Sequence, residues 1–390
     1  MGQLNLFAAT ERLDLSEELF EAYFDCRRNK RNSPSALRFE MNFEERLFEL
    51  TDSLFDATWT PSPSTAFIVE KPVKREVFAA TFADRVVHHW LMAKLNPHFE
   101  NLFIPDSYAC RVGKGTLFGI RRLEHNIRES YSAHPRGCFV LKLDIRGFFM
   151  SIPRERLWMR LEPFIRATYK EQDLWRVLRV AERIVKLDAS KGCRVAGRKS
   201  DWAGLPPDKS LFGTAAGCGL PIGNLTSQVL ANFYLHPLDV FITKQLGFHR
   251  YGRYVDDFYL VGHSPHQLRM AVQEIRVFLA NELALSLHPQ KIVLQHAAKG
   301  SAFLGAVVWP THTTVGKRLR SNFYQTVRVI NEEKEGDPVR TMQRLNSYMG
   351  LMRHFRSYRL RRAAMRNKLA PHVQQSLRIP RDLWAVAVRQ

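Results

Sequence analysis

Apolar positions recur at helical spacing in several long stretches of this chain. Between residues 16 and 31, Leu19, Phe20, Tyr23 and Phe24 share one face, which predicts an amphipathic helix. Residues 42–55 repeat that style, and 81–95 put apolar side chains at 86, 87, 90, 91 and 95. The last of these is expected to stop before Asn96-Pro97, because proline has no N–H and crowds the preceding turn. Further helices are expected over roughly 153–187, over 224–246 with a break at Pro237, and over 267–283. Asp337-Pro338 marks one more start, a capping residue followed by proline at the first helical position. The helical pattern then runs to about residue 370.

Shorter apolar runs read as strands. Residues 138–144 form such a run and end in an acid, and 253–262 look like two short strands around an acidic turn. Residues 292–295 and 303–309 supply further strands, and 66–80 is a β-like run interrupted by charge. Residues 189–219 hold six glycines and Pro206-Pro207, which predicts a loop or insertion.

Composition adds a partner class. The 390 residues include 58 Lys+Arg and 38 Asp+Glu, a net charge of +20, which draws a protein toward polyanions. Nucleic acid is the first candidate and an anionic membrane surface the second. The last 74 residues hold 17 lysines and arginines against five acids, so more than half of the excess sits there. Hydrophobic content of 45% is enough for a sizeable core and excludes a disordered tail. No run approaches the ~18 apolar residues of a membrane span. The N-terminus shows no secretory pattern, and Leu6 stands where myristoylation wants Ser or Thr. The five cysteines are scattered and lack a C-x-x-C pair, so neither zinc nor disulfides are expected, and a cytoplasmic location is.

Three acids interrupt apolar runs: Asp144, Asp256 and Asp257. A carboxylate so placed has a large desolvation cost unless something offsets it, and divalent cations do so well. A strand ending in Asp144 beside a hairpin tipped by Asp256-Asp257 would bring all three together, the arrangement for metal-assisted phosphoryl transfer.

The motifs around these acids resemble those of a family. Tyr254-Val255-Asp256-Asp257 resembles the Y-x-D-D box of reverse transcriptases, residues 143–149 (LDIRGFF) their first palm motif, and 219–228 (GLPIGNLTSQ) their second. FADRVVHHWL and SYACRVGKG resemble finger motifs of bacterial members, and LHPQKIVL and FLG those that close the palm. The resemblance covers about residues 66–370. Ser227-Gln228 within IGNLTSQ, with LNSYMGLMRHFRSYRLR at 345–361, resembles the enzymes of diversity-generating retroelements more than retron or group II intron enzymes. The chain also stops soon after a thumb-sized segment, which agrees with that assignment.

That resemblance implies an α+β right-hand polymerase. Its parts would be a helical lead-in (1–65), fingers with part of the palm (66–137), a ferredoxin-like palm with an inserted loop (138–316; loop 189–219) and a basic helical thumb (317–390). Asp144, Asp256, Asp257 and the Ile145 carbonyl would bind two Mg²⁺ ions, with Mn²⁺ a possible substitute. Lys291 would protonate departing pyrophosphate or touch RNA phosphate. Arg75, Arg111 and Lys114 would meet the dNTP triphosphate, and Phe149 would exclude ribonucleotides. Ile222 stands where retroviral enzymes carry Gln, which implies low fidelity at template adenines. Gly223 and Gln228 would touch the nascent pair, and Ser227 would pack or cap. Implied partners are a template RNA and its RNA–DNA hybrid, dNTPs, and a small basic accessory protein oligomer. The rivals are a retron-type or phage-defence reverse transcriptase and a catalytically silent RNA-binding protein.

Overall fold

A computed structural model describes residues 2–28, 33–70, 73–333 and 336–389. Helices α1 (Gly2–Arg27), α2 (Pro34–Glu40) and α3 (Phe43–Phe55) lead in. The end of the helix expected over 16–31 lies partly outside the described residues. Strands β1 (Thr65–Val69) and β2 (Arg75–Ala79) pair antiparallel, and α4 (Phe82–Leu102) follows. Leu15, Leu19 and Tyr23 of α1 are buried in the same core as Val86, Val87 and Trp90 of α4. Glu18 stitches the two helices, accepting from Trp90 Nε1 at 2.8 Å and Lys94 Nζ at 2.7 Å.

The expected stop before Pro97 does not occur; α4 runs through it to Leu102. The extra turn buries Phe99, whose ring stacks on Phe103 and Phe164 and tilts against Phe233. Burying such a side chain is worth ~2–3 kcal/mol, comparable to the ~3 kcal/mol cost of an interior proline.

Helix α5 (Thr116–Ala133) leads to the central sheet. Its strand β3 (Phe139–Asp144) is followed by α6 (Phe148–Ser151), α7 (Arg154–Thr168) and α8 (Leu174–Lys186), two long helices where one section was expected. A short β4 (Arg194–Val195) and α9 (Leu225–Val240) come next, then β5 (Tyr251–Tyr254), β6 (Asp257–Gly262), α10 (Pro265–Leu283) and β7 (Val293–His296). Pro237 does not break α9, which continues into a wider turn at Phe241–Gln245. The sheet order is β5-β6-β3-β7, antiparallel throughout, which is the ferredoxin-like β-α-β-β-α-β arrangement.

Period-2 alternation sends neighbouring side chains to opposite faces. Leu141, Leu143, Phe258 and Leu260 enter the main core with α9 and α10. Val140, Tyr259 and Val261 face the other way, onto Ile120, Leu123 and Ile127 of α5. Lys142, Asp144 and Asp257 share that second face by parity. It is therefore apolar under α5 and charged toward the β5–β6 turn.

The segment over 189–219 is more ordered than a loop. β4 adds to β1 in parallel, and short 3₁₀ turns follow. Its anchor is Glu76 of β2, which is 1% exposed. That carboxylate accepts from Trp202 Nε1 at 2.6 Å, Ser210 Oγ at 2.7 Å and the Leu211 N–H at 2.5 Å.

Beyond the central sheet, β8 (Ser301–Phe303), β9 (Ala306–Val308) and β10 (Thr313–Val315) make a small antiparallel sheet. α11 (Lys317–Glu332), α12 (Pro338–Met352), α13 (Tyr358–Arg362), α14 (Pro371–Ser376) and the β11 (Leu377–Arg378)–β12 (Ala387–Val388) pair complete the chain. Asp337 caps α12, accepting the Val339 N–H at 2.9 Å. Phe323, Val327, Leu345, Met349, Met352 and Met365 form a core of their own. Phe355 packs instead with the α5-side cluster. Among the described residues no helix is long and apolar enough to cross a membrane.

Candidate active site

The antiparallel register of β3 and β6 sets Asp144 directly opposite Asp257. Tyr254 pairs with Asp257 across the hairpin, leaving Val255 and Asp256 as its two-residue turn. The Ile145 N–H donates to the Asp256 carbonyl at 3.3 Å, tying the turn to the end of β3. Three carboxylates thus gather at one end of the two central strands, β3 and β6, from positions more than a hundred residues apart.

Their electrostatics follow from that crowding. Burial, and next the Asp144 charge, pushes the Asp256 carboxyl up to about 6. Burial also raises Asp257, with Lys142 opposing it. Lys142 Nζ lies 3.6 Å from Asp257 Oδ1, and Lys291 Nζ donates to both Asp144 oxygens at 2.8 Å. The site is rich in oxygen donors and short of positive charge even with two lysines in attendance. Among the described residues no three His, Cys, Asp or Glu side chains already close around a single cation position. The donor chemistry nonetheless fits a hard divalent ion, which binds through one or two carboxylates and keeps places for water and phosphate.

The second motif folds against β2. Gly223 has φ +125, and a Cβ there would lie 2.8 Å from Val77 Cγ1, so the turn needs glycine. The Phe78 N–H donates to the Ile222 carbonyl at 2.8 Å. Ile222 and Phe149 pack against one small cluster containing Phe78, Met150 and Leu211. Arg75 is exposed at the start of β2 and shares a strand face with Val77, the residue that touches Gly223. Gln228 is exposed in the first turn of α9 and accepts from Cys110 Sγ at 2.8 Å, whereas Ser227 is buried.

Two of the expected phosphate contacts are otherwise engaged. Arg111, whose side chain is 6% exposed, bonds Glu100 at 2.8 Å and the carbonyls of Ile104 and Ser107, so it ties the end of α4 to the segment that follows it. Lys114 donates to the Pro105 carbonyl and lies over the Phe118 ring.

Sequence reading missed Arg253 and Asp239, both fully buried beneath the turn. A signal existed: each is a charge within an apolar stretch, the same signal that marked the three aspartates. It also missed Val255, whose φ of +58 is a left-handed conformation costing a β-branched residue ~1–3 kcal/mol.

A family model described as reverse transcriptase (RNA-dependent DNA polymerase) matches residues 71–308. No curated protein matches the chain. Among solved structures, it is similar to telomerase from Candida albicans, determined with a TWJ fragment of telomeric RNA, at 11% identity and a TM-score of 0.46. That similarity covers 79% of this chain and 54% of the telomerase chain, so this chain spans about half of that protein's length. The family match takes in well over half of the chain and encloses all three aspartates, β3 and the β5–β6 hairpin. The chain belongs to the reverse transcriptase (RNA-dependent DNA polymerase) family.

Proposed function

We propose that this enzyme copies a dedicated template RNA into cDNA in a diversity-generating retroelement, with frequent errors opposite template adenines. The observation that carries the choice of catalytic groups is the facing of Asp144 and Asp257 across β3 and β6, with Asp256 in the adjoining turn. These carboxylates and the Ile145 carbonyl would hold two Mg²⁺ ions, or Mn²⁺ in their place. Bound there, the ions supply the charge that activates a primer hydroxyl and steadies departing pyrophosphate.

The chain's own groups do the rest. Lys291, bonded to Asp144, would protonate the pyrophosphate. Arg75 would meet the triphosphate as a planar fork suited to phosphate oxygens. Arg111 is left to hold the fingers together. Phe149 would bar a ribose 2′-hydroxyl, and Gly223 and Gln228 would line the nascent pair.

Ile222 supports the low-fidelity reading. Its side chain has no hydrogen-bonding atom and packs against the same cluster as Phe149, so it would offer the nascent pair shape alone. A hydrogen bond forgone is worth ~0.5–1.5 kcal/mol, a several-fold change in selection. The partners would be the template RNA, its hybrid with the cDNA, and a small basic accessory protein oligomer. The first 56 residues carry 12 acids against seven basic residues, the reverse of the whole chain's sign, which suits such a partner.

Primer extension with Mg²⁺ tests the catalytic groups. Asp256→Asn and Asp257→Asn are expected to lose about two orders of magnitude or more in rate while remaining folded. Near-normal synthesis by either variant would sink the site assignment. Phe149→Ala should raise ribonucleotide incorporation. Sequencing of the wild-type cDNA tests the sub-family: errors concentrated at template adenines support it. Uniformly low error would favour a retron-type or phage-defence enzyme, and RNA binding without synthesis a silent scaffold.

A further inference from the structure

Beneath the catalytic turn lies a polar group that the chemistry above does not use. Arg253 of β5 and Asp239 of α9 are both 0% exposed. Arg253 Nε donates to Asp239 Oδ1 at 2.7 Å and Nη2 to Oδ2 at 2.5 Å, a two-pronged grip. The Tyr251 hydroxyl donates to the same Oδ1 at 2.6 Å. Arg253 Nη1 reaches Asn232 Oδ1 at 3.1 Å and the Val255 carbonyl at 3.0 Å, and Nη2 reaches Ser107 Oγ at 3.3 Å.

Stability alone is a poor reason for such a pair, since apolar residues of similar volume often stabilise a core as well or better. One of its bonds bears on the site. Val255 is the first residue of the two-residue turn, with φ +58. Hairpin turns with positive φ only at that position strongly favour glycine there. Valine is held in the conformation by its surroundings, and the Arg253 bond to its carbonyl is part of the hold. The next residue is Asp256, whose own carbonyl is fixed from the other side by the Ile145 N–H.

We propose that the buried Asp239–Arg253 pair is the positioning element of the catalytic turn. Through the Val255 carbonyl it keeps the left-handed bend and so sets where Asp256 stands against Asp144 and Asp257. A lysine at 253 keeps the charge but cannot span Asp239, Asn232 and Val255 together, because it lacks the planar fork. The inference rests on reading the three aspartates as the polymerase site.

Arg253→Lys tests it in the full-length protein. Binding of Mn²⁺ is followed by loss of the free-ion electron paramagnetic resonance signal, beside primer extension and thermal unfolding. The expected result is Mn²⁺ affinity at least fivefold weaker and synthesis at least tenfold slower in protein that remains folded. Wild-type Mn²⁺ affinity per folded molecule, with activity lost only in proportion to unfolding, would overturn it. Should Arg253→Lys fail to fold, Asn232→Ala loosens the same nitrogen that holds Val255. An approximately twofold loss of Mn²⁺ affinity is then expected, and no loss overturns the proposal. Asp256→Asn separates the two readings. If that variant keeps synthesis, the site assignment fails. If it loses synthesis while Arg253→Lys behaves as wild type, the positioning role alone fails.

Discussion

At the scale of single residues, burial decides which polar side chains act and which are structural. His88 lies in a motif with several charged neighbours, yet it is 4% exposed, with its Nδ1 3.5 Å from Thr226 Oγ1 of α9. Burial, then the charges of His89 and Arg85, lowers its pKa to about 3. An unfolded histidine titrates near 6.5, so between pH 3 and 6.5 the unfolded chain binds the extra proton. Stability from this group is complete above pH 6.5 and is lost as pH falls through it, by about 2 kcal/mol at pH 5. His88→Asn, which cannot take up the proton, should narrow the gap between melting temperatures at pH 7.5 and pH 5 by a few degrees. An unchanged gap would show that His88 is not the acid-sensitive group. That the three aspartates come together at the strand ends was legible, because a carboxylate inside an apolar strand demands a reason. Arg111 was misleading because a sequence cannot show that a guanidinium is already spent on Glu100.

Among the elements, long amphipathic helices and apolar strands were readable, and their ends were not. α10 and the β5–β6 hairpin lie within two or three residues of their expected positions, since each carries a clear 3.6 or 2 period. α4 and α9 outrun their prolines because the next turns bury aromatic and aliphatic side chains, an energy invisible to local pattern. The segment at 189–219 was illegible for a related reason. Its order comes from Glu76, more than a hundred residues earlier, and not from its own glycine-rich sequence. Glu76→Gln replaces a charged acceptor of three bonds with a neutral amide, at a cost of about 1–3 kcal/mol. Because Trp202, Ser210 and Leu211 carry those bonds, the effect should be local. Limited trypsin digestion should cut first at Lys191, Arg194, Arg198, Lys199 or Lys209 in the variant. Digestion at the wild-type rate and sites would remove Glu76 as the anchor.

For the molecule as a whole, net charge divides into structure and grip. The +20 excess is concentrated after residue 316, but those basic residues are not equivalent. Arg361 is 4% exposed, donates through Nε to Ser357 Oγ at 3.1 Å and through Nη1 to the Leu383 carbonyl, and so holds the C-terminal core together. Arg344 is paired with Glu333. Arg356, Arg359 and Arg362 are exposed around α13 and are candidates for contact with a phosphate backbone. Each phosphate contact releases condensed counterions, so log affinity falls with log salt by ~0.7–0.9 per contact. Replacing these three arginines with glutamine should make that slope shallower by about 2–3 if all three touch phosphate. The loss of affinity should be nearly the same for unrelated RNA sequences, since backbone contacts carry no sequence information. Arg361→Gln should instead lower the melting temperature without changing the slope per folded molecule. A wild-type slope in the triple variant would move the grip elsewhere on the surface. The charge after residue 316 would then be accounted for by solvation and by Arg361-type structural contacts.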